Sequence, residues 1–435
     1  MRSLVPPATP SGLPGRALSL LPHHARRLLA AGTPWAGLGG DALAHVLAEL
    51  DEDGWLVVVD EPDVAARLVR ALRFFHRDPH LVLHLAADDV RPYDGFSPDP
   101  SLPRARLKVF DRVDRGVGGI VVAEAKALLQ RVPDRAARKR LVRPVAAGDR
   151  LDRDDLVRWL TGTGYLAAER ASEEGFFSVR GDVVDVWPAG RELPVRIDFF
   201  DDEIEEVRRL DPRTWRTTDR RPRVRLLAAR EEILDKDALA RAGTELARLS
   251  AEQGRDTRVR RRILEDLRAG VRFAGLEAWL PALVPVEAPL DALSGLRTLV
   301  VHPDDVAATL REQERTIRDR YELLDLDDRP LVPPVERYTT AEAVLDRLAE
   351  AHVVHDVPRN TKMDLGARSP DGFGARGTEL APVVQKLDET QAAVSAGHRK
   401  RLEELSALMS NISRYKTYRA ALAEAEKIAA GTGTA

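Results

Sequence analysis

Trp55-Leu56-Val57-Val58-Val59-Asp60 is a continuous apolar run closed by an acid, the length and texture of a strand buried on both faces of a parallel sheet. Helical patterning lies on either side. Asp41 to Leu50 precedes it and Gly54 breaks it; after Pro62, a residue suited to a first helical turn, Val64, Leu68, Leu72 and Phe75 recur at helical spacing. Leu81-Val82-Leu83 and Ile120-Val121-Val122-Ala123 supply further buried strands. Strands alternating with helices predict an α/β sheet.

The texture changes near Gly148. Leu151 to Leu160 reads as a short helix, and Phe176 to Phe200 as two strands around the turn Pro188-Ala189-Gly190-Arg191-Glu192, the pattern of a β-hairpin-bearing insert. Asp235 to Arg268 returns to charged helix, Thr298-Leu299-Val300-Val301 is another buried strand, and Val306 to Leu323 a long amphipathic helix. Pro, Gly and Asp then concentrate over Val357 to Gly377 as in a linker, before a helical stretch from Leu380 to Ala430. No fixed-period repeat is present.

At 435 residues and 44% hydrophobic content, the chain can bury more than one core. Its 67 Lys and Arg nearly balance 70 Asp and Glu, so any nucleic-acid contact must come from local patches. Zero cysteines exclude disulfides and thiolate metal sites and fit a reducing, cytoplasmic setting. Met1 to Pro14 is broken by prolines and reads as a disordered lead-in, and no run approaches the ~18 apolar residues of a membrane span.

A phosphate loop needs two glycines followed by Lys and Ser or Thr, which hold the phosphates and magnesium. Residues Gly32 to Asp41 carry Gly37, Gly39 and Gly40 but neither functional side chain, and Asp41 sits near where the Lys belongs. The reading is a structural turn, with no cofactor expected. Asp304 and Asp305, after the strand at Val300-Val301, are expected to open a helix rather than to hold magnesium. The ten histidines show no ligand spacing, His23 and His24 being merely adjacent, so no metal is expected. No serine sits in a nucleophile elbow.

Arg91-Pro92-Tyr93-Asp94-Gly95-Phe96-Ser97-Pro98 and Ala127-Leu128-Leu129-Gln130-Arg131-Val132-Pro133 resemble signatures of the first domain of bacterial transcription-repair coupling factors. More specific is Gly148 to Thr217: Gly164-Tyr165, Phe177 to Pro188 and Pro194 to Glu205 resemble, in order and spacing, the UvrB interaction domain shared by UvrB and the coupling factors. Gly270 to Glu277 and Arg329 to Pro334 extend the likeness, which covers roughly residues 16 to 350. Phe176 stands where the family usually has Glu.

This resemblance implies a degenerate helicase-like (P-loop-type) α/β domain over 15–147 and 226–355. An inserted α+β domain over 148–225 would bind the UvrA damage sensor, with a linker over 356–379 and a helical tail over 380–435 following. A coupling factor continues into an RNA-polymerase-binding domain and a translocase, and neither is legible here, so the expectation is a non-catalytic, UvrA-binding module of nucleotide excision repair. In the family, residues at the positions of Arg180, Arg196 and Phe200 contact UvrA.

The residues themselves fit such a surface. Along a strand, Arg196, Asp198 and Phe200 share one face and Val195, Ile197 and Phe199 the other, while Arg180 lies on a face with Ser178 and Asp182. Arginine and aromatic side chains are common anchors of protein interfaces. The alternative is that Arg180 and Arg196 pair with Asp182, Asp198 or the run Asp201-Asp202-Glu203 on a solvated face.

Two basic clusters, Arg135 to Arg143 and Arg208 to Arg225 around Trp215, either track DNA phosphates or pair internally; the acids scattered between them favour the second. Glu403 to Ser410 and Tyr415 to Leu422 resemble a short helical stretch of Ras guanine-nucleotide exchange domains. That raises a second class, an adaptor whose tail touches a small GTPase. No membrane or small-molecule substrate is expected.

Overall fold

The computed structural model describes residues 35–36, 40–50, 54–323 and 329–355. Gly37 and Gly39, the histidine pair, the lead-in over 1–14, the linker over 356–379 and the tail over 380–435 lie outside them. The chain divides into two units, Met1–Ser369 and Pro370–Ala435, and the described residues all belong to the first.

Its centre is a six-stranded, wholly parallel sheet ordered Trp35–Ala36, His352–His355, Arg297–Val301, Trp55–Val59, Ile120–Glu124, Val82–Leu85. The two strands Trp55–Val59 and Ile120–Glu124 are buried at every position, which is why the sequence shows unbroken apolar runs rather than alternation. Trp55, Val57 and Val59 pack with Leu43 and Leu47 of the helix Gly40–Glu49 and Leu68 and Leu72 of the helix Pro62–Phe75. Leu56 and Val58 face the opposite layer, with Val109 and Phe110 of Ser101–Asp114, Val306 and Leu310 of Pro303–Leu323 and Val344 of Ala341–Leu348. Each such fully buried side chain contributes roughly 1.5–3 kcal/mol. Gly40 and Asp41 open the first of these helices, and Asp304 and Asp305 lie in the first turn of Pro303–Leu323, as expected.

Between Glu124 and Arg297 the chain leaves the sheet. An antiparallel pair, Val142–Ala146 with Arg223–Leu227, forms the stem of the insert. Beyond it stand the helix Arg153–Gly162 and a second six-stranded sheet, ordered Thr217–Arg220, Glu203–Leu210, Val195–Phe200, Val183–Val186, Phe176–Arg180, Leu166–Ala167. The insert has its own core, including Leu156, Leu160, Phe177, Val184, Val186, Ile197, Phe199 and Val207.

The structure corrects two sequence expectations. Phe176 to Phe200 is three strands, not two, because the chain also reverses at Gly181-Asp182, where Gly181 takes φ +57°, a conformation that costs glycine little. Asp235 to Arg268 is two helices, Lys236–Glu252 and Thr257–Arg268, interrupted at Gly254 and N-capped by Asp235 and Asp256.

Candidate functional site

The exposed face of the inserted sheet is built by strand alternation. In Val195–Phe200, Val195, Ile197 and Phe199 are buried, while Arg196 and Asp198 are half-buried and Phe200 is 75% exposed. The register lines Ser178, Asp185, Arg196 and Arg208 across four strands, and Arg180, Val183, Asp198 and Glu206 in the row beside them. Arg180, Arg196 and Phe200 are therefore brought to one face, as the spacing predicts. Asp182 is not, since it lies in the turn between two strands.

The charges on this face are ordered by pairing. Arg196 donates from Nε and Nη2 to Asp185 Oδ1 and Oδ2 at 2.7 and 2.8 Å, a two-pronged geometry that fixes the guanidinium plane. Those bonds raise the Arg196 guanidinium above its usual value. Asp185 is buried, and sequence reasoning did not name it as a partner. Asp198 is taken by Arg208, with bonds of 2.8 and 3.1 Å. Arg180 donates to the Glu169 carbonyl at 2.7 Å and forms no ion pair among the described residues. Phe200 sits beside the turn at Asp201, whose φ is +57°. The face thus presents two guanidinium groups immobilised by carboxylates, Arg196 and Arg208, one lightly tethered guanidinium, Arg180, and one bare aromatic ring, Phe200.

Much of the two basic clusters is consumed internally. Arg138 is buried against Asp114 at 2.8 and 2.9 Å and Glu287 at 2.5 Å. Arg220 meets Glu206 at 2.6 Å, Arg221 meets Asp219 at 2.8 Å and Arg225 meets Asp111 at 2.7 Å. Trp215 carries Arg170 over its ring, 5.3 Å from the centroid.

Sequence reading missed the junction between insert and scaffold. Buried Glu231 holds Arg106 through bonds of 2.8 and 2.9 Å, and Arg106 also reaches Asp88 at 3.0 Å. Arg272 donates to the Gly162 carbonyl at 2.7 Å and lies 3.4 Å from Glu232. Burial pushes the Glu232 carboxyl up to about 7 against the pull of Arg272 and Arg230. An acid pair in sequence gives no sign of such burial.

The segments around Arg91 to Phe96, Phe273 to Glu277 and Arg329 to Leu331 converge on a cleft of about 570 Å³. Tyr93 donates its hydroxyl to the Val332 carbonyl at 2.9 Å, and Ser97 Oγ donates to Glu277 at 2.8 Å, so these motifs knit the scaffold together. Among the described residues, no three His, Asp or Glu side chains are grouped to hold a metal ion, and no helix is long and apolar enough to cross a membrane.

Residues 144–231 match the family model of the UvrB interaction domain, which contains the range expected for the insert. Over 392 residues the chain is 29% identical to the transcription-repair-coupling factor of Escherichia coli (strain K12), covering 85% of this chain and 33% of that protein. The coupling factor of Myxococcus xanthus is 30% identical over 414 residues, 88% of this chain and 32% of that protein. The UvrABC system protein B of Acinetobacter baylyi is 35% identical over 124 residues, 28% of this chain and 18% of that protein. The chain spans about a third of the length of these coupling factors.

Proposed function

We propose that this chain, which carries a UvrB interaction domain in a scaffold similar to part of a transcription-repair-coupling factor, is a docking module of nucleotide excision repair whose partner is the damage sensor UvrA. The likeness to both coupling factors and UvrABC system protein B supports a repair role. The observation that carries the docking site is the exposed Phe200 on the same face of the inserted sheet as Arg180 and the locked Arg196. A rigid guanidinium and an unburied ring lose little side-chain entropy on binding and can bury large area.

The parallel sheet is read as a helicase-like scaffold whose phosphate loop has decayed, since the glycines of Gly32 to Asp41 are followed by Asp41 and not by the Lys and Ser or Thr that ATP and magnesium require. Pull-down of UvrA by the chain, with Phe200→Ala and Arg180→Ala compared to wild type, tests the site; undiminished capture by the doubly substituted chain sinks it.

A further inference from the structure

The helix Thr257–Arg268 has an unusual surface for this protein. Its inner side is fixed by Ile263 and Leu267, buried with Leu246, Leu249 and Trp279, and by partly buried Val259 and Leu264. That packing turns Arg258, Arg261, Arg262 and Arg268 to solvent, and all four are exposed. At 100° per residue they fall within an arc of roughly 120° that also holds exposed Glu265, and at 1.5 Å per residue Arg258 and Arg268 lie about 15 Å apart along the axis.

Elsewhere many arginines of this chain are tied to acids: Arg196, Arg208, Arg225 and Arg248 all hold carboxylates at 2.7–2.8 Å. The four on this helix form no ion pair among the described residues, although Glu265 and Asp266 stand on the same helix. Desolvating an arginine already bound to a carboxylate gains little, whereas an unpaired one offers its full charge to an incoming anion.

We propose that this helix is a docking face for the phosphate backbone of a nucleic-acid duplex. A B-form duplex carries one charge per ~1.7 Å of axis, so a row of cations about 15 Å long meets several phosphates at once. A protein partner is disfavoured by composition: the exposed side of the helix carries Thr257, Glu265 and the four arginines, with no large apolar side chain to form the dry centre of a protein interface. The two basic clusters conspicuous in the sequence are the weaker candidates, because Arg138, Arg208, Arg220, Arg221 and Arg225 hold carboxylates, while exposed Arg213, Arg216 and Arg223, which form no ion pair among the described residues, are spread over a turn, a loop and a strand rather than along one helix face.

The test is fluorescence anisotropy of a labelled duplex oligonucleotide titrated with the full chain at a series of salt concentrations. Binding is expected to weaken with salt at a log–log slope of about −0.9 per phosphate contacted. Substituting Arg258→Gln, Arg261→Gln and Arg262→Gln together is expected to lower affinity at least about tenfold and to reduce the slope by about 2.7, the share of three contacts. Arg→Lys at the same positions keeps charge and is expected to keep most of the slope. An unchanged slope in the Gln variant overturns the proposal, as does a wild-type chain that ignores DNA at low salt or binds polyglutamate in its place. Loss of slope in the Lys variant, with its melting curve unchanged, also overturns it. The outcome is independent of UvrA docking, which uses another face.

Discussion

Replacing Arg196 by Ala separates the two roles this residue combines. Its guanidinium covers Asp185, whose side chain is 4% exposed, through bonds of 2.7 and 2.8 Å, while Arg196 itself is 28% exposed. Breaking a fully buried pair from one side costs about 3–5 kcal/mol, because the remaining charge is stranded. Here the outer side of the pair is wet, and solvent screening lowers the expected loss to about 2 kcal/mol. Removing both partners, Arg196→Ala with Asp185→Ala, strands no charge and is expected to restore all but about 1 kcal/mol. Phe200→Ala, at a 75% exposed position, is expected to change stability by less than about 0.5 kcal/mol. Equilibrium urea denaturation, with hydrogen exchange over Val195–Phe200 to localise the effect, reads all three. An Arg196→Ala chain that unfolds at the wild-type urea concentration refutes the reasoning, and so does a double variant no more stable than the single one. The same physics means Arg196→Ala confounds binding with folding, so Phe200 and Arg180 are the cleaner probes of partner binding.

Two further outcomes follow from the junction and the phosphate loop. Because the folded chain holds the Glu232 proton up to about 7 rather than the ordinary 4.5, the folded state binds more protons than the unfolded one across that window. Stability from this group is therefore lost as pH rises through it; Glu232→Gln is expected to flatten that dependence in thermal melts, and parallel profiles for the two chains would contradict it. With magnesium and ATP, phosphate release by this chain is expected at the blank rate and its melting temperature is expected not to move; a nucleotide-dependent rise would show a working site.

Much of the scaffold was legible because burial on both faces leaves a plain signature. Trp55–Val59 and Ile120–Glu124 are buried at every position, so their apolar runs could hardly be anything else. The face carrying Arg196 and Phe200 was legible for the complementary reason, that alternation in Val195–Phe200 follows from one-sided burial. What escaped was register. The turn at Gly181-Asp182 lies inside a run of strand texture from Phe176 to Trp187 that reads as one strand, though Gly-Asp between two strands is a hairpin signal. Without that turn, Asp185 could not be placed opposite Arg196. The Arg272 and Glu232 contact joins segments distant in sequence, and nothing local announces it. The arginines of Thr257–Arg268 lay within a stretch that reads only as charged helix, and it is the packing of Ile263 and Leu267 that turns four of them to one exposed side.

The central claim is that Arg180 and Phe200 form part of a docking surface for UvrA. Isothermal titration of UvrA into the full chain tests it most directly, comparing wild type with Arg180→Ala plus Phe200→Ala after matched melting curves establish that both are folded. Loss of an aromatic and arginine anchor of at least about 2 kcal/mol predicts an affinity drop of roughly 30-fold or more. Equal affinity for the two chains, or no heat of binding with wild type, would contradict the account.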